Sequence, residues 1–168
     1  EAMSSYRLSL PEDRRALVDR YHLEDWALKV VGIGSVGTRC WIILLLGRDD
    51  QDPLFIQVKE ANESVLEPYA GKGPFDHQGQ RIVVGQRLMQ SSSDIFLGWT
   101  QGRKGHHFFG RQLRDMKFSF PIELAPPKGL RLYAEVCGWT LARAHAKSGD
   151  AATISGYLGR SDAFDLAI

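Results

Sequence analysis

The sequence predicts an α+β fold, a five-stranded antiparallel sheet with one helix packed on it and further helices after it. Three observations carry that expectation. A glycine-punctuated loop lies between short, uniformly apolar runs; two later apolar runs bracket a short basic loop; and between and beyond them apolar residues recur at helical spacing.

Near the start, Ser9-Leu10-Pro11-Glu12 has the spacing of a capping box, and Leu17, Val18 and Tyr21 follow at helical spacing, which predicts a leading helix within residues 1–25. From Trp26 to Glu60 the pattern is three strands. The run Cys40-Trp41-Ile42-Ile43-Leu44-Leu45-Leu46 lacks the polar residues that a helix packed by one face must show to water, and it ends in the turn signal Gly47 to Pro53. It therefore reads as a strand, which makes the preceding glycine loop the turn of a hairpin. The next strand, Leu54 to Glu60, sets Leu54, Ile56 and Val58 on one face and Phe55, Gln57 and Lys59 on the other.

Residues 61–79 are mixed, with a helical turn at Ser64 to Glu67. Gln80 to Gln90 reads as a helix weakened by Gly85, and the serines Ser91 to Ser93 end it. Asp94 to Thr100 and His107 to Leu113 form a second hairpin around Gln101-Gly102-Arg103-Lys104-Gly105. Pro121 to Gly129 is a linker, and Leu130, Tyr133, Val136, Cys137, Thr140, Leu141 and Ala144 trace a long helix that stops before Gly149. Short helical pieces follow, with Ser161 as the cap of a last one. The resulting plan is a leading helix 1–25, a nucleotide-gripping sheet domain 26–120, a linker 121–129 and a helical segment 130–168 that opens a second lobe.

Lys and Arg number 21 against 20 Asp and Glu, interspersed along the 168 residues. There is no basic face of the kind that a nucleic-acid backbone demands, so nucleic acid is excluded as a partner. Cys40 and Cys137 lie far apart without metal-ligand spacing and read as buried free thiols. No stretch reaches transmembrane length, and Glu1, Glu12 and Asp13 stand where a signal peptide would be apolar. A cytoplasmic protein with no membrane partner is expected.

Glycines let successive backbone N–H groups converge on one anion, since no Cβ intervenes. Gly32, Gly34, Ser35 and Gly37, from Gly32-Ile33-Gly34-Ser35-Val36-Gly37, are accordingly candidates for gripping nucleotide phosphates, with Lys59 neutralising them and ATP as the cofactor. Two other readings stay open at this point. A Rossmann dinucleotide-binding unit would use Glu60 on the ribose and leave Lys59 without a role. The glycines are also sufficient for a plain tight turn. Glu63 and Glu67 read as surface acids, adjacent His106 and His107 face opposite ways and hold no metal between them, and His145 reads as an interior or satisfied helix histidine.

The order strand, glycine loop, strand, lysine strand, helix, hairpin is that of the small lobe of protein kinases and of aminoglycoside and choline kinases. Two positions depart from that pattern. No glutamate stands on the intervening helix to hold the lysine, Gln86 lying nearest, and Gln57 occupies the place where an alanine usually covers adenine. The strings Val30 to Trp41, Gln57-Val58-Lys59-Glu60-Ala61, Gly85 to Gln90, Asp94 to Trp99, Arg111 to Lys117 and Leu141 to Asp150 closely resemble a bacterial family known as domain of unknown function 2252. The resemblance covers nearly the whole chain. Longer members are similar to a circularly permuted phosphotransferase whose upstream half carries a Gly-Asp-x-His-x-x-Asn-like loop and an Asp-Phe-Asp-like motif, neither of which occurs here.

The resemblance implies an ATP-phosphate-binding part of a kinase-like phosphotransferase, inactive alone, binding magnesium only with the other half. It also implies self-association through surface that the other part would cover. The alternative is a non-catalytic, pseudokinase-like binding module, for which the absent glutamate and Gln57 speak.

Overall fold

A computed structural model of the chain describes residues 2–30, 37–114 and 119–167. Two helices, α1 (Ala2–Ser9) and α2 (Glu12–Val18), lead into strands β1 (His22–Leu28), β2 (Cys40–Leu46) and β3 (Pro53–Glu60). Helices α3 (Glu67–Ala70) and α4 (Gln78–Met89) precede the hairpin β4 (Gly98–Gln101) and β5 (His107–Gln112), after which come α5 (Pro127–Ser148) and α6 (Ala151–Leu158). The strands form one sheet in the order β1-β2-β3-β5-β4, with every neighbouring pair antiparallel. The chain divides into two compact units, Glu1–Gln86 with Ser92–Asp115, and Arg87–Ser91 with Met116–Ile168.

In the first unit the strand alternation sorts side chains as the sequence implies. Leu45 pairs with Leu54, Ile43 with Ile56 and Trp41 with Val58, so these residues share one face, here called the core face. Leu45, Leu54 and Ile56 are buried there with Tyr6, Leu10, Val18, Phe96 and Phe108. Each such aliphatic side chain contributes about 1.5–3 kcal/mol on leaving water. Helices α1 and α2 supply the other side of this core. Gly98 and Gly110 are partners across β4 and β5, and a Cβ on either would run into the Tyr6 ring. Glycine at both positions lets α1 lie directly on the sheet, where the Tyr6 hydroxyl donates to the Phe96 carbonyl.

The leading segment differs from its expected form. Ser9 does not cap a helix: its hydroxyl donates to the Tyr6 carbonyl at 2.6 Å and accepts from Trp99 N–H at 2.8 Å, tying the end of α1 to β4. The residue flanking α2 is Pro11, with no side-chain cap. Arg15 reaches back instead, donating to the carbonyls of Leu8 and Leu10, which the end of α1 leaves without helical partners. Residues 22–25, expected to be helical, belong to β1. A β-bulge between Leu23 and Asp25 breaks the alternation there, which hid the strand among charged residues.

In the second unit the double proline opens a helix rather than extending a linker. Pro126 is extended and Pro127 is the first residue of α5, where a missing N–H costs nothing. The Asp150 carboxylate caps α6 by accepting from Ala152 and Thr153 N–H, bonds that hold its pKa below the usual carboxylate value. No helix follows Ser161 among the described residues. Its hydroxyl accepts from Ala163 N–H at the start of a run of turns. Cys40 is buried as expected, but Cys137 is exposed on α5, and His145 is exposed rather than interior.

Candidate phosphate-binding site

The glycine loop joins two antiparallel strands. Leu28 pairs with Trp41, and Lys29 N–H donates to the Cys40 carbonyl at 2.7 Å, closing the hairpin at its base. The helix that a dinucleotide-binding unit places after its glycines is a strand here, β2. Gly37 stands at φ +81°, a left-handed conformation that glycine adopts without strain. Gly32, Gly34 and Ser35 lie outside the described residues.

Lys59 is on β3 with Cys40 and Phe109 as its neighbours across the sheet, so it stands beside the point where the loop enters β2. It is half-buried, and its side chain makes no hydrogen bond or ion pair among the described residues. Gln57 shares this face, here called the lysine face, and is buried, its Oε1 accepting from Arg111 at 3.5 Å. The neighbouring Glu60 faces the other way and fastens the loop. Its carboxylate accepts from the backbone N–H and the guanidinium of Arg39, each at 3.0 Å, while Glu60 N–H donates to the Arg39 carbonyl.

Gln86 lies on α4 in line with Gly79 and Val83, one side of the helix, with Val83 fully buried. No hydrogen bond joins Gln86 to Lys59 among the described residues, and α4 carries no acid at all. Glu63 is exposed and Glu67 half-exposed, as surface acids should be. Thus Gly37 and Lys59 come to one end of the sheet, while a counter-ion for the lysine is absent among the described residues.

Two features were not read from the sequence. His77, which precedes α4, stacks on His107 of β5 with ring centroids 4.0 Å apart, and His107 Nδ1 accepts from Gln78 N–H. Burial, and then the neighbouring His107, push the His77 pKa below the ordinary histidine value. The histidine that pairs with His107 is thus His77, thirty residues away, and not its sequence neighbour His106. The second feature is a cavity of about 520 Å³ on the core face, walled by α1 and by all five strands or their turns. Among the described residues there is no group of three or more metal-capable side chains, and no helix is long and apolar enough to cross a membrane.

Fold and site together define an α+β protein built on an antiparallel sheet, with a hairpin glycine loop and a lysine beside its base. The chain belongs to the bacterial family described as "Uncharacterized protein conserved in bacteria", domain of unknown function 2252, which it matches over residues 1–168. Comparison with the curated proteins and with the solved structures gave no match.

Proposed function

We propose that this chain is the nucleotide-phosphate-binding part of a kinase-like phosphotransferase, gripping ATP with the glycine loop and Lys59. The observation that carries the reading is Lys59 itself. It is a half-buried lysine without a carboxylate partner among the described residues, placed beside the base of a glycine hairpin. Such a charge is matched by an anion brought from outside, and phosphate oxygens approached by backbone N–H groups suit it. The order of β1, loop, β2, β3, α4, β4 and β5 supports the same reading, since kinase-like small lobes run in that order. In this reading the base and the magnesium ligands come from a separate, upstream half, as in a circularly permuted phosphotransferase, and the chain alone does not turn over.

Gln57 and the acid-free α4 favour a second reading, a non-catalytic binding module that keeps the lobe without the nucleotide. Calorimetry with ATP on the wild type and Lys59→Ala separates the two. A charge-assisted phosphate contact of about 1.5–3 kcal/mol predicts roughly one to two decades of lost affinity in the variant, with the fold intact. Equal affinity removes Lys59 from the site. No binding by either protein selects the second reading.

A further inference from the structure

The core-face cavity is separate from the lysine face. Arg39 and Glu60 alternate with Cys40 and Lys59 along β2 and β3, so Arg39 lines the cavity while Lys59 points to the opposite side of the sheet. At about 520 Å³ it falls within the range of roughly 300–1,000 Å³ typical of small-molecule sites. Its walls are Trp26, Trp41, Ile43, Val58 and Phe108, with Met3 from α1.

Its basic groups are gathered at one end. Arg39 immediately precedes β2, and Arg103, Lys104 and His106 come from the β4–β5 turn; no Asp or Glu is among the lining residues. Glu60 stands behind this end and is already engaged, 3.0 Å from the Arg39 guanidinium and 3.3 Å from His106 Nδ1. It fixes two of the basic side chains in place, while Arg103 and Lys104 make no ion pair among the described residues. Aromatic walls alone would suit a cationic ligand. A rim of arginine and lysine reverses that preference.

A second observation singles out the same rim. Lys104 has φ 63° and ψ 20°, the left-handed region in which a residue with a Cβ is strained and glycine is not. Gly105 beside it, at φ +80°, shows the kind of residue such a turn takes for conformational reasons. A lysine held in that conformation places its side chain at the cavity, and local strain of this sort concentrates at ligand-binding positions.

We propose that this cavity binds a small amphiphilic anion, an apolar body ending in a carboxylate or phosphate, with Trp26, Trp41 and Phe108 against the body and Arg39, Arg103 and Lys104 at the head. The proposal does not depend on ATP binding at Lys59.

Isothermal titration of the full chain with decanoate, decyl phosphate, decanol and decyltrimethylammonium, all below micelle formation, tests it. At least one of the two anions should bind roughly tenfold or more tighter than decanol, and the ammonium compound weakest, since a charge-assisted contact distinguishes them. Whichever anion binds tighter identifies the head group. Lys104→Gly should leave the Tm unchanged or raised, because glycine relieves the strain, yet weaken the anion about tenfold and decanol hardly at all. Saturating ATP should not displace the anion. Equal affinity for all four compounds would show mere apolar adhesion, absence of any binding would show a cavity that takes no amphiphile of this kind, and displacement by ATP would merge the two sites. Each of these overturns the proposal.

Discussion

The two faces of one strand show how differently the same sheet is used. On β3, Ile56 is 2% exposed and its neighbour Phe55 is 42% exposed. The core face is closed at one end by α1 and α2 and left concave at the other, where its cations gather. The lysine face carries Gln57 and Lys59 in line, with the His77–His107 stack beside the β5 end. Both faces bury side chains, but the core face does so with a cluster of large apolar groups, whereas the lysine face sets buried Cys40 and Gln57 beside half-buried Lys59. The lesson is that apolar content does not by itself say which side of a sheet is the core. Here the large apolar cluster forms on the side that α1 and α2 cover, while the side that α4 approaches at β5 carries the more polar set.

The largest test of this contrast is mutational. Ile56→Ala should cost about 2–5 kcal/mol in urea unfolding, from lost burial and the cavity left behind, and Phe55→Ala less than half as much despite its larger side chain. Equal costs would mean that both faces are packed alike.

A smaller pair of effects sharpens the picture along α4. A methyl on Gly79 would overlap the Phe108 carbonyl oxygen, whereas one on Gly85 would meet nothing. Gly79→Ala should destabilise by about 1–3 kcal/mol, and Gly85→Ala should stabilise by up to about 1 kcal/mol through helix propensity. Thermal melts giving both variants the same sign would deny the close approach of α4 to β5.

The smallest effect is on pH. Because the folded His77 pKa is depressed, the unfolded chain takes up the proton first on acidification. The stability it contributes is complete above the ordinary histidine value of about 6.5 and is lost as pH falls from there through the folded value. Denaturation midpoints measured across this range should decline more steeply for the wild type than for His77→Gln. Parallel curves would leave the stack without an energetic role.

Much of the sheet was legible because its signals are local. The unbroken apolar run of β2, the alternation of β3 and the basic loop between β4 and β5 each lie within a few residues. So did the placing of Lys59 opposite Ile56 and Val58. A leading helix was expected, but its division into α1 and α2 and the seating of α1 on the sheet were missed, because the contacts of Tyr6 with Gly98 and Gly110 and of Ser9 with Trp99 span about ninety residues or more and leave no local pattern. The bulge concealed the first half of β1 for a related reason, since one inserted residue shifts every later side chain to the other face. The cavity was invisible for the most general reason: its walls come from α1 and every strand region, and only pairing brings them together. The conformation of Lys104 likewise belongs to the turn and not to the residue type.

The bulge in β1 has a bearing on how molecules of this protein meet one another. β1 is an outer strand of the sheet, seven residues long and exposed throughout, with Leu23, Trp26 and Leu28 among its residues. A flat strand of that kind offers its free N–H and C=O groups to any other chain as a template for cross-chain pairing. The irregularity between Leu23 and Asp25, together with the exposed charges of Glu24 and Asp25, spoils that template. At the opposite border β4 is only four residues long and offers little to pair with. Both margins of the sheet are thus poor seeds for fibrils, and deleting Glu24 would straighten the longer one into a surface along which copies could stack.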